Sequence, residues 1–361
     1  MLLFQFLLKI KKILNFSALQ VLLVAMVLNV AFGISFYYAE RNTQEGLTLL
    51  DSLWWSMVTM TTVGYGDYYA QTNIGRFLIS YPCMILGIGI IGYLVGAVAN
   101  YFIEWSARKR RGDLQITVKG HIIICNFPGE EKLLGLVKEL RALPHFANKP
   151  VVLITDNLQQ LSENLLKADI MLVNGPARDE SVLHRANVLN CEGVIILAED
   201  PSESRSDDRT YTIGSVIELI SIEKKRPIKT VAELVSERSR KTMNRSQVDG
   251  IVSTDGVASC LLAQEFCFPG LNDVIGQMIT ATHGSQLYLH NTALIGQKIV
   301  SLQKAVLEHE ANIQIIGIIH LGKSLLNPDK QTTIEQGDIL IILAENGRDL
   351  PRIEKDLIAA S

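Results

Sequence analysis

The sequence has no CxxC pair among its five cysteines, no strong excess of charge of either sign, and two long stretches with no charged residue at all. The first absence speaks against a zinc ribbon or a thiol redox centre. The second, a net charge of −3, leaves no basic footprint for nucleic acid. The third is the informative one. Leu14 to Ala39 and Phe77 to Ile103 contain no Asp, Glu, Lys or Arg. A helix rises about 1.5 Å per residue, so each run can cross a hydrocarbon core about 30 Å thick. The first run is too long for a secretory signal and lacks a small-residue cleavage site. What the chain has in quantity is apolar content, 48% of 361 residues, over a length that fits two or three domains.

Flanking charge sets the expected orientation. Lys9, Lys11 and Lys12 precede the first run, and Arg108, Lys109, Arg110 and Arg111 follow the second. The stretch between them carries Glu40, Glu45, Asp51 and Asp67 against only Arg41 and Arg76. The positive-inside rule then puts both termini in the cytoplasm of an integral membrane protein, in a prokaryote the inner membrane. Four cysteines (Cys125, Cys191, Cys260, Cys267) fall on the reducing side, and with Cys83 they read as small buried side chains.

Between the spans, Leu49 to about Met60 is apolar and helix-competent but too short to cross, which fits a re-entrant helix. Irregular backbone at membrane depth is tolerated only inside protein or beside water. The segment that follows, Thr62-Val63-Gly64-Tyr65-Gly66-Asp67, must therefore line something wet. "TTVGYGD" in this setting resembles the selectivity filter of tetrameric potassium channels. The resemblance implies that carbonyls of Thr62, Val63, Gly64 and Tyr65, with the Thr62 hydroxyl, replace the hydration shell of potassium ions. One chain supplies a quarter of each oxygen ring, so a homotetramer is implied. Trp54 and Trp55 would pack as a cuff around Tyr65, and Asp67 would gather cations at the outer mouth. Some members of that family pair the filter aspartate with a glutamate at the position where Val58 stands here. Gly87 and Gly89 are the candidate hinge of the pore-lining helix, with close packing through small residues as the alternative. Neither span carries spaced arginines, so no voltage sensor is expected.

Beyond a basic linker (106–119) the pattern changes. Apolar runs at 121–125, 151–155, 170–173, 193–198, 228–232 and 250–253 alternate with helical stretches near 130–143, 157–168, 179–189, 208–225 and 237–247. Such alternation predicts a parallel, doubly wound Rossmann-like sheet over 120–255. Residues 256–283 read as a helical crossover fit for a dimer contact. A small α+β lobe is expected over 284–361, with helices near 297–309 and 349–358. The plan resembles that of regulator-of-potassium-conductance (RCK, TrkA-N/TrkA-C type) domains behind a two-span pore (1–105), similar to the prokaryotic calcium-gated potassium channels. It implies RCK–RCK contacts in a cytosolic ring that gates the pore. A ring of eight domains would need extra soluble copies, and no methionine between Met84 and Met171 offers an internal start for them.

The ligand of such a ring is less legible. At the end of the first strand, "CNFPGEE" puts Asn126, Pro128 and Glu131 where a dinucleotide loop needs glycines. Pro128 has no amide hydrogen for a phosphate, and a glutamate ~4 Å from one costs about 4 kcal/mol at an effective dielectric near 20. Read plainly, this is a strand-to-helix turn with proline and early acids. Asp156 stands where a ribose acid would, or serves as a helix cap. Asn126 and Asp156 thus mark a degenerate nucleotide pocket. Calcium is the other option the resemblance implies. Of the three family positions near Leu197, Glu233 and Val235, only Glu233 is an acid, though Glu199 and Asp200 in the loop "AEDPSESRSDD" could rebuild a site. Two rival classes remain: a potassium-uptake subunit, which usually strings four degenerate filters along one chain, and a membrane-anchored NAD-binding enzyme, which needs an intact phosphate loop and an acid/base set. The expectation is a channel, not an enzyme.

Overall fold

The computed structural model of the chain describes residues 16–309, 312–345 and 351–355, with side chains described from residue 20. Lys9, Lys11 and Lys12 therefore lie outside the described residues, as do parts of the helix expected near 349–358. The chain divides into two compact units at Lys109/Arg110.

In the first unit, α1 (Phe16–Glu40) and α3 (Tyr81–Arg111) flank the short α2 (Leu49–Met60). Two helical stretches, Gln20–Glu40 and Gly75–Arg111, are long and apolar enough to cross a membrane. The second opens with a π-helical turn, Gly75–Ser80, that nothing in the residue pattern announced. α2 begins with a capping box. Thr48 Oγ1 accepts the Asp51 N–H (3.2 Å), and Asp51 Oδ2 accepts the Thr48 N–H (3.0 Å).

In the second unit, β1 (Ile122–Cys125), β2 (Val151–Thr155), β3 (Ile170–Asn174), β4 (Gly193–Ile196), β5 (Thr230–Leu234) and β6 (Gly250–Ser253) form one parallel sheet in the order β3-β2-β1-β4-β5-β6. Side chains alternate across a strand, so β1 sends Ile122 and Ile124 to one face and Ile123 and Cys125 to the other. The first face packs on α4 (Glu130–Ala142) and α5 (Glu163–Lys167), the second on α6 (Glu180–Arg185) and α7 (Ser206–Glu223). Burial on both faces is why these strands read as unbroken apolar runs. α5 is shorter than the expected 157–168 because it starts only at Ser162, whose hydroxyl caps the Leu165 N–H (3.3 Å). The 237–247 helix is instead a chain of short turns around α8 (Arg240–Met243).

Two helices follow, α9 (Thr254–Cys267) and α10 (Leu271–Ile279), and neither buries a residue within the chain. Cys260 and Cys267 lie on α9 and are exposed, which corrects the expectation of five small buried thiols. The physical reason is that α9 has no partner layer in a single chain. Cys125, by contrast, is fully buried, and burial raises its thiol pKa; Cys191 is pushed up to about 11 for the same reason.

The last lobe is an antiparallel sheet, β7 (Gln286–Asn291), β8 (Ile313–His320), β9 (Lys323–Leu326) and β10 (Ile339–Ala344), in the order β7-β10-β8-β9. α11 (Ile299–Leu307) buries Ile299, Leu302 and Val306 against it. β9 escaped the pattern reading because all four residues are exposed and it lies at the sheet edge. Its pairing is set by a two-residue turn in which Leu321 (φ 49°) and Gly322 (φ 75°) are both left-handed, matching the strand twist.

Candidate functional site

Past Met60 the α2 backbone stops being helical. Thr62 takes φ 62°, Gly64 53° and Gly66 78°, all left-handed, and no positive φ occurs at Val63 or Tyr65. A backbone whose φ alternates in sign can present successive carbonyls on one side. Glycine makes this cheap at two of the positions, while Thr62 adopts it against its own preference. The turn is pinned from below, since Val63 N–H (3.0 Å) and Gly64 N–H (3.3 Å) both donate to the Val58 carbonyl.

Trp54 stacks on Tyr65, with ring centroids 5.8 Å apart and planes within 8°, and its Nε1–H donates to Asp67 Oδ2 at 2.9 Å. The indole is thus a hydrogen-bond partner of Asp67, and the apolar Val58 offers it none. Trp55 does not join this cuff in its own chain. It is buried and stacks on Phe36 of α1 at 3.8 Å. Adjacent residues on a helix point about 100° apart, so one tryptophan faces the turn and the other the outer helix.

Beyond Asp67 the chain is held at almost every step. Gln44 Nε2 donates to the Tyr69 carbonyl (2.8 Å) and Arg76 Nε to that of Ala70 (3.0 Å). The Glu40 carboxylate takes the N–H groups of Gln71 and Thr72 (both 3.0 Å) and the hydroxyls of Thr72 (2.7 Å) and Thr43 (3.1 Å). Sequence reasoning missed this residue; its one signal was an acid closing an otherwise uncharged run.

The two candidate hinge glycines differ. A Cβ on Gly87 would lie 2.5 Å from the Met60 carbonyl oxygen, so that position serves close approach of α3 to the end of α2. A Cβ on Gly89 would meet nothing within 4 Å.

In the Rossmann-like lobe, the β1 turn uses Asn126 in the left-handed region (φ 71°), a conformation asparagine tolerates better than most residues. Its side chain donates to the Leu197 carbonyl (2.8 Å), bridging the ends of β1 and β4. That is where the strand order reverses, the usual place for a ligand in such sheets. A cavity of about 150 Å³ opens there, lined in part by Asn126, Asp156, Arg178, Glu199 and Arg209. A larger cleft of about 830 Å³ shares Glu199 and Arg209 and includes Pro128 and Asp200. Glu130 at the α4 N-terminus is hydrogen-bonded by Ser162 and Asn164, which hold its carboxyl below the usual range and keep negative charge where a phosphate would sit.

The three candidate cation ligands are not brought together. Glu233 is clasped by Lys132 Nζ (2.6 and 2.8 Å) and also accepts the Ala198 N–H (3.0 Å). Glu199 pairs with Arg209 and Asn157. Asp200 folds back on Ser202, accepting its N–H (2.8 Å) and hydroxyl (2.6 Å). Among the described residues no group of three or more Asp, Glu, His or Cys is arranged to hold a metal.

A short apolar helix between two longer ones, followed by a Rossmann-like lobe and an antiparallel lobe, is the plan expected of an ion channel with an RCK domain. Comparison with known proteins agrees. Residues 23–104 match the family described as "Ion channel", and residues 117–230 match "Calcium-activated potassium channel slowpoke-like RCK domain". The calcium-gated potassium channel TvoK of Thermoplasma volcanium is 25% identical over 96% of this chain and 97% of its own. Among solved structures, the human SLO3 gating ring shares the fold with a TM-score of 0.51 at 16% identity, covering 65% of this chain and 46% of that one. A GsuK channel bound to NAD is matched with a TM-score of 0.46 at 17% identity, covering 92% of this chain and 58% of that one. The chain is thus similar to potassium channels that carry an RCK domain.

Proposed function

We propose that four copies of this chain surround one axis and conduct potassium passively through rings built from the carbonyls of Thr62, Val63, Gly64 and Tyr65. The observation that carries the reading is the alternation of left-handed residues at Thr62, Gly64 and Gly66 between two membrane-competent helices. Asp67, held by an uncharged donor, keeps its negative charge at the mouth. Gly89 is the better hinge candidate, because Gly87 is committed to packing. The cytosolic lobes form a ring, with the apolar side chains of α9 (Leu262, Phe266) available for contacts between copies. Ligand binding to the ring biases a closed–open equilibrium, and a coupling of about 1–3 kcal/mol per site, repeated around it, suffices. Membrane lipid surrounds the spans, and both termini face the cytoplasm.

A divalent cation is the gating ligand that the name of the Thermoplasma relative supports. Here it would have to displace Lys132 from Glu233 or Arg209 from Glu199. A nucleotide is the second reading, supported by the cavity between Asn126 and Asp156 with Arg178 and Arg209 on its wall. Purified protein in liposomes tests the channel: potassium-selective, barium-blocked flux is expected, and unselective or absent flux overturns it. Calorimetry then separates the ligands. Calcium binding without tight NAD binding is the expected result; tight NAD binding with none for calcium reverses the order. An image of the assembly decides between four and eight RCK domains in the ring.

A further inference from the structure

Asn29 is a polar side chain that the pore reading leaves unused. It stands near the middle of α1, among exposed apolar residues such as Met26, Val27 and Val30. A polar group at membrane depth is costly unless it is paired, and such groups mark functional positions. Asn29 is paired only in part. Its Nδ2–H donates to Ser56 Oγ on α2 (3.3 Å), and Ser56 gives its own hydrogen to Cys83 on α3. Ser56 and Cys83 have no exposed surface, so this short polar chain sets which way the amide points. Asn29 Oδ1 is left over, because no donor among the described residues is bonded to it.

Asn29 borders a cavity of about 370 Å³ walled by α1, the end of α2 and α3. Of the residues around it, only Asn29 and Thr61 carry polar side chains; the rest, such as Ala25, Met57, Ile91 and Leu94, are apolar. The Thr61 hydroxyl gives its hydrogen to the Met57 carbonyl (2.8 Å) and keeps its lone pairs. The volume falls in the range of small-molecule sites, and an apolar cavity stays dry and takes apolar guests. Leu22, Met26 and Val30 on its wall are exposed, so the cavity continues the apolar surface that lipid would cover. What remains open for a guest is two acceptor oxygens, Asn29 Oδ1 and Thr61 Oγ1, and the second amide hydrogen of Asn29. A hydroxyl, which both donates and accepts, matches them with one atom.

We propose that this cavity is a binding site for a small neutral amphiphile, an apolar body with one hydroxyl, that enters from the lipid. A bare acyl chain would fill the space and leave Asn29 Oδ1 unpaired, and a charged ligand would meet no counter-ion among the lining residues. The cavity also reaches Met60 and Gly87, where α3 lies so close to the end of α2 that a Cβ on Gly87 would sit 2.5 Å from the Met60 carbonyl oxygen. A guest wedges the two apart next to Thr62 and so lowers potassium flux. That consequence rests on the proposed channel function; the binding does not.

The test uses full-length protein in liposomes and a diazirine-bearing octanol, with labelled residues read by mass spectrometry. Label is expected on cavity residues such as Met57 and Ile91. Excess 1-octanol should displace it about fivefold more effectively than octane, which lacks the hydroxyl. Asn29→Leu should keep the label but need about fivefold more 1-octanol to displace it. Ala25→Leu narrows the cavity without touching the polar chain and should exclude the label. The wild-type competition decides the question even where a variant fails to assemble. Label spread over exposed residues such as Val27, or missing from the cavity because an acyl chain or a neighbouring copy fills it, overturns the site. Equal displacement by octane overturns the amphiphile. In the same vesicles 1-octanol should lower the potassium flux of the wild type and not that of Ala25→Leu. A labelled cavity with unmoved flux overturns the wedge alone, whereas wild-type flux that is not potassium-selective overturns the channel reading and leaves the labelling result standing.

Discussion

The segment around the 62–67 turn and the strand ends of the Rossmann-like lobe both hold carboxylates, but they satisfy them by different means. Asp67 and Glu40 accept from an indole, hydroxyls and backbone N–H groups, none of which carries charge. At the strand ends Glu233 meets Lys132 and Glu199 meets Arg209. A carboxylate held by neutral donors keeps its field and attracts whatever cation passes. One already paired with a cation is electrically quenched, and a ligand must displace the partner before it binds. The first arrangement suits an ion in transit; the second suits a switch.

The comparison breaks most easily at the filter glycines. Gly64→Ala or Gly66→Ala forces a Cβ into a left-handed position, at about 1–2 kcal/mol per residue and again in every copy. Selective flux in liposomes should disappear while the protein still assembles; retained selectivity would remove the basis for the pore reading. Trp54→Phe keeps the stack on Tyr65 but deletes the donor to Asp67, and single-channel records should show conducting periods shortened about tenfold. In the lobe, Lys132→Met leaves Glu233 without its cation. Full-length protein should then lose about 1–3 kcal/mol of stability in thermal melts, and added calcium should recover part of it. No recovery would mean that Glu233 is not a cation ligand even when freed.

The smallest effect concerns acid. Hydrogen bonds from His145 and then Lys149 hold the Glu192 carboxyl down at about 2, against an ordinary 4.5. A depressed carboxylate contributes stability above its unfolded value and loses it as pH falls through the folded one. Melting temperature should therefore drop between about pH 4 and 2, and His145→Ala should flatten that slope slightly. An unchanged slope would show the exposed pair to be energetically idle.

Legibility differed between the two regions for the same reason. The spans, the six parallel strands and the filter hexapeptide are written in neighbouring residues. A charge-free run, an apolar strand and a glycine spacing need no distant partner to be recognised. β5 is offset by two residues from the expected 228–232, and β9 was missed, because their limits are set by ladders with other strands. The resemblance groups Trp55 with Trp54 around Tyr65, and within one chain the helix sends them to different neighbours.

By itself, then, the sequence determined two membrane-competent helices with one filter-like turn between them, followed by a Rossmann-like lobe and a small second lobe. Only the tertiary structure decided what each charged group faces. Glu40 finds Thr72 across 32 residues and Lys132 finds Glu233 across 101. Such pairings depend on which elements the fold lays side by side, and no local pattern encodes them. The field at a site is the sum over those neighbours, so the candidate cation ligands of the lobe could be found in the sequence while their neutralisation could not.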